Sequence, residues 1–138
     1  MAVASTNAWK VDIEETIINA IRSEFKATLP VFRSRDNQIR GNQFAILKGD
    51  DSSSDNNMYA KISNNYNLTI DFFMLDRTRN ENTVKRFFKT VSRLEETIYS
   101  LLEISPTYKP EVRTINYDDD EINGYRKAIF NVNVRSIR

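Results

Sequence analysis

Residues 66–103 read YNLTIDFFMLDRTRNENTVKRFFKTVSRLEETIYSLLE, and the spacing of their apolar residues changes part-way through. Tyr66, Leu68, Ile70, Phe72 and Met74 alternate with Asn67, Thr69 and Asp71, the pattern of a strand with one buried and one wetter face. Beyond Asn80 and Asn82, either of which can cap a helix, the spacing becomes helical. Val84, Phe87, Phe88, Val91, Leu94, Ile98, Leu101 and Leu102 fall within a wedge of roughly 140° at about 100° per residue. That wedge is the expected core face, and Ser105-Pro106 is the expected stop.

Upstream, residues 1–10 are small and polar apart from Trp9, which predicts a flexible N-terminal arm. Asp12 then stands three residues before Glu15 in capping-box spacing, and Ile13, Ile17, Ala20, Ile21 and Phe25 line one face of a first helix that Pro30 terminates. VFRSR and QFAILK are short strand-like pieces around a turn at Gly41-Asn42. GDDSSSDNN, residues 49–57, contains no apolar residue and is expected to be a loop. Downstream, YKPEVRTINY and GYRKAIFNVNVRSI predict a hairpin around the acidic turn DDDEIN, with Ala128, Phe130, Val132 and Val134 on one side. Two amphipathic helices and several half-buried strands make a two-layer α+β sandwich, an antiparallel-rich sheet with both helices on one face. Residues 11–138 are expected to form a single domain, with no internal repeat.

Composition narrows the chemistry. The 138 residues contain no cysteine and no histidine, which removes disulfides, thiolate metal sites and the usual general base. Lysine and arginine number 20 against 19 acids, so the chain is no bulk polycation for nucleic acid. No basic segment followed by an apolar run opens the sequence, and no apolar stretch is long enough to span a bilayer; synthesis in the cytoplasm and no membrane partner are the expectation. Ser52, Ser53 and Ser54 lack a histidine to activate them, and Gly41, Gly49 and Gly124 are too isolated to cradle phosphates. Asp118, Asp119, Asp120 and Glu121 are adjacent, whereas calcium loops place carboxylates at alternate positions, so a solvated turn is the expectation and no metal or other cofactor is expected. A metal-dependent nuclease would instead use Asp71 with distant acids and a lysine.

Two further readings concern the long helix. Arg77, Arg79, Lys85, Arg86, Lys89 and Arg93 form a cationic stripe suited to phosphates, the basis for a small nucleic-acid-binding module. Glu96 and Glu103 continue the same exposed arc with opposite charge, contrary to what the helix dipole favours, and intrahelical pairing such as Arg93 to Glu96 is the simplest account. The other account takes Lys85, Lys89, Arg93, Glu96 and Glu103 as an interface between identical subunits. The basic and acidic halves are separated by roughly 15 Å at about 1.5 Å per residue, and different patches meeting head to tail close into a ring. Exposed pairs contribute only about 0 to 1 kcal/mol each, so they orient subunits while apolar contact supplies affinity.

The order EETIINAIRSEF, YNLTIDFFMLDR, NENTVKRFFKTVSRLEETIYSLLE and AIFNVNVRSI over residues 11–137 resembles the tail-completion or tail-terminator proteins of tailed bacteriophages. The resemblance lies in element order, size and texture. It implies a non-enzymatic virion protein without cofactors, whose identical subunits form a ring, commonly a hexamer, between the tail tube protein and the head connector. Related neck and head-closure proteins fit the same texture. The loops carrying Asp50, Asp51, Asp55 and Asp118, Asp119, Asp120, Glu121 would then face the next ring or the lumen, where an acidic wall lets DNA pass without binding.

Overall fold

The structure, a computed structural model, describes residues 8–33, 42–56, 62–78, 80–100, 108–120 and 124–137. Helix α1 spans Ala8–Phe25 and runs into a short 3-10 turn, Lys26–Thr28. Strands β1 (Val31–Arg33), β2 (Gln43–Asn56) and β3 (Ile62–Leu75) follow, then helix α2 (Glu81–Tyr99) and strands β4 (Tyr108–Asp120) and β5 (Tyr125–Ile137). The five strands form one sheet in the order β1-β2-β3-β5-β4. All neighbours are antiparallel except β1 and β2, which pair in parallel from Val31 opposite Ala45 to Arg33 opposite Leu47.

Alternation along the strands sends one set of side chains toward the helices. Ala45 and Leu47 on β2, Leu68, Ile70 and Phe72 on β3, and Phe130 and Val132 on β5 join Ile13, Ile17 and Ile21 of α1 and Phe87, Leu94 and Ile98 of α2 in one buried cluster. Phe72 stacks on Phe87 with ring centroids 5.7 Å apart, fixing the second helix over the centre of the sheet. This is the two-layer α+β sandwich that the spacing predicts, with both helices on one face.

Local chemistry sets the helix ends. Asn80 is the cap of α2, its side-chain oxygen accepting from the Thr83 N–H at 3.0 Å. α1 starts earlier than its capping-box spacing suggests: it takes in Ala8 to Lys10, the last three residues of the expected arm, and residues 1–7 lie outside the described residues. Asp12 therefore lies inside the helix, and its carboxylate accepts from the Tyr108 hydroxyl of β4. A tertiary partner replaces the expected cap. At the other end, Lys26 adopts a left-handed φ of 55°, which interrupts the α-helix.

Two expected loops are strand. β2 continues through Asn56 because β3 supplies a ladder partner for each residue from Asp51, opposite Asn67, to Asn56, opposite Ile62. Asp50 falls at the bulge between Gly49 and Asp51. Gly49 leaves room for a neighbour: a Cβ there would lie 1.9 Å from the Tyr66 hydroxyl oxygen, so a larger residue would have to displace the Tyr66 ring. Likewise β4 reaches Asp120, with Asp118 opposite Lys127 and Asp119 opposite Arg126. Gly124, at φ 76°, provides the left-handed residue before β5. The described parts of the strand-like pieces VFRSR and QFAILK are the parallel pair β1 and β2.

Candidate assembly surface

The residues expected to form the subunit interface separate into different environments. Lys85 and Lys89 are exposed on α2; Lys85 faces Glu81 at 3.5 Å, one turn away on the same helix. Both partners of that pair are well solvated, so it contributes a few tenths of a kcal/mol. Glu96 is exposed on the outer side of the same helix, and Glu103 lies outside the described residues.

Arg93 is not part of a free charged arc, nor is it paired with Glu96. Its Nε lies 2.9 Å from Glu24 Oε1, its terminal nitrogen donates to the Glu24 carbonyl at 2.7 Å, and its guanidinium sits 4.4 Å from the centre of the Phe25 ring. A cation at mid-helix in α2 thereby satisfies the last turn of α1, where the helix dipole favours positive charge. Part of the reversed polarity in α2 belongs to the neighbouring helix.

The lumen or inter-ring candidates are also redistributed. Asp50, Asp51 and Asp55 belong to β2, and Asp118, Asp119 and Asp120 to β4, so they sit on paired backbone and not in loops. Asp118 is exposed, across from Lys127. Glu121 lies outside the described residues.

The cationic stripe is divided as well. Arg77 and Arg86 line a cleft of about 740 Å³ with Thr78, Thr83 and Gln43, while Arg93 is held by α1. Arg79 lies outside the described residues. Beside the same cleft Asp76, 2% exposed, holds Arg126 with a 2.7 Å contact. Asp71, the nuclease candidate, is 4% exposed on the sheet face away from the helices, between Lys48 at 3.1 Å and Lys127 at 3.8 Å. Among the described residues no group of three acids could hold a metal ion.

Two aromatic residues that the charge pattern does not single out make the most prominent apolar surface among the described residues. Phe88 is 45% exposed and Tyr117 53% exposed, and their ring centroids are 5.2 Å apart on the flank where α2 overlies β4. Phe87 and Phe88 are about 100° apart around the helix, so only one can point into the core, and Phe87 does. The expected core wedge is too wide on this side, where Phe88 is exposed and Val84 is only half-buried. Phe88, Val84, Lys85, Lys89 and Ser92 line a shallow groove of about 450 Å³ along this flank.

Beneath the aromatic pair runs the outer edge of β4. Its first half is closed: Pro110 has no N–H, the Val112 N–H donates to the Tyr99 hydroxyl at 3.0 Å, and a bulge intervenes at Arg113. Its second half is open. Val112 is opposite Val132 and directs its N–H outward; Ile115 and Tyr117, opposite Phe130 and Ala128, share that alternation. Among the described residues, nothing pairs with the outer side of β4 at these two positions.

Compared with known proteins, the chain matches no family model and no curated protein. No helix of the described residues is long and apolar enough to cross a membrane.

Proposed function

We propose that this chain is a non-enzymatic structural subunit that assembles with copies of itself, and specifically a tail terminator of a tailed bacteriophage. In this reading it caps the tail tube as a ring and joins it to the head connector, so its place is the neck of the virion, after assembly in the host cytoplasm. The observation that carries the self-association in this reading is the Phe88–Tyr117 pair beside an open length of β4. Exposed apolar surface next to unpaired backbone is costly in an isolated subunit and is relieved by a partner. The element order that resembles terminators supplies the specific identity.

Electron microscopy of the purified protein with and without tail tubes tests this directly. Added protein seen as a distinct ring at tube ends is the expected result; bare tube ends at saturating protein overturn it.

A second reading has one observation in its favour, the pairing of Arg77 and Arg86 at one cleft, which suits a phosphate backbone. A nucleic-acid module binds duplex DNA with an affinity that falls steeply as salt rises. The structural reading expects no such binding at moderate salt.

A further inference from the structure

The open half of the β4 edge and the aromatic pair occupy the same flank of the molecule, Lys85 and Glu96 stand along the groove beside Phe88 on the solvent-facing side of α2, and one symmetry operation satisfies all three. We infer that this flank binds a second copy of the chain through a two-fold axis perpendicular to the sheet, near Asn116, joining the two β4 strands antiparallel. This inference rests on the reading of a self-associating subunit, but not on the ring.

The edge is self-complementary. About an axis at Asn116, Ile115 of one copy faces Tyr117 of the other, and both direct backbone groups outward. They exchange N–H···O bonds in both directions, turning two five-stranded sheets into one continuous sheet. Asp118, exposed on β4, then faces Thr114 of the second copy instead of another acid.

The apolar surface lies where such a pair needs it. Ile115 and Tyr117 project to the helix side of the sheet, as Phe88 does, so the two copies bring their Phe88 and Tyr117 rings together over the new strand junction. That removes from water the two most exposed aromatic rings on this flank.

The charges decide between a second copy and an unrelated partner. α2 runs past β4 from Phe88, beside Tyr117, to Tyr99, beside Val112. The two-fold axis therefore sets the two α2 helices antiparallel. Lys85 and Glu96 are separated along the helix by about 16 Å. Reversal of the helix places the Lys85 end of each copy beside the Glu96 end of the other, twice per pair. Lengthwise segregation of charge, unfavourable within one helix, is complementary to its own antiparallel image. The closed first half of β4 limits the pairing to the segment beyond the bulge and keeps the junction in a single register. Because a two-fold contact closes on itself, a ring around a tube would draw its contacts from other surfaces.

Sedimentation velocity across a concentration series tests the pair, with circular dichroism and thermal melting confirming that each variant is folded. The expected wild-type result is a two-copy species that Tyr117→Lys reduces to a monomer. Lys85→Glu and Glu96→Lys, each alone, weaken association about fivefold per charge contact at low salt. An equal mixture of these two single variants recovers it, because each contact in the mixed pair is again between opposite charges. A wild-type chain that remains monomeric throughout, a two-copy species unaffected by Tyr117→Lys, or a mixture that associates no better than either variant overturns the inference. Rings at tube ends formed by a chain that is monomeric in solution would leave the assembly reading standing and remove only the two-fold pair.

Discussion

On the helix side of β3, Leu68, Ile70 and Phe72 belong to one apolar cluster with both helices. On the other side of the same strand, Asp71 lies between Lys48 and Lys127, and Asn67 accepts from the Asn133 amide at 2.8 Å. No described helix covers this second face, yet Asp71 and Asn133 are as buried as many core residues. Long side chains and cross-strand partners provide the cover. The comparison shows two ways of removing a strand from water: by packing a second layer on it, and by pairing each polar group with its neighbour across the ladder. The first contributes most of the stability through apolar burial, whereas the second mainly avoids a penalty.

That contrast predicts a ranking. Phe130→Ala opens a cavity at a fully buried position between sheet and helices, and should cost about 3–5 kcal/mol by denaturant titration. Asp71→Ala removes the carboxylate between two lysines that are themselves partly solvated, so the loss should be about 1–2 kcal/mol. A loss for Asp71→Ala equal to that for Phe130→Ala would show that the open face is held as strongly as the dry one. At the small end, Asn133→Ala removes the hydrogen bond that its amide donates to Asn67 and should cost about 1 kcal/mol. The double change Asn67→Ala with Asn133→Ala should cost less than the sum of the two single changes, since the hydrogen bond between the two amides is lost only once. A double-mutant cycle measures this, and additive losses would mean that the two amides are not coupled.

Much of the fold is legible from periodicity. β3, the inward side of β5 and the buried positions of both helices follow from spacing, because a half-buried element must repeat its apolar residues at its own period. The strand limits are less visible. Gly49 to Asn56 and Asp118 to Asp120 have loop composition, and a ladder partner overrides that preference in each case. The candidate surface was legible only in its charges. Lys85, Lys89 and Glu96 do lie exposed on α2, but Arg93 is held by Glu24, a contact between residues distant in the chain. Phe88 and Tyr117 carried no signal by themselves, since neither periodicity nor composition says which member of an aromatic doublet is left outside, or that a strand residue will stand beside it.

By itself the sequence determined which elements form, which face of each is apolar, and that charge is segregated along the second helix. These are properties of neighbouring residues at a fixed period, and local geometry suffices to read them. Only the tertiary structure decided that β1 pairs in parallel, that Arg93 serves the end of another helix, and that half of β4 is closed by Tyr99 while half is open beneath two exposed rings. Each depends on bringing together residues far apart in the chain, and their separation in the sequence carries no record of the distance between them in space.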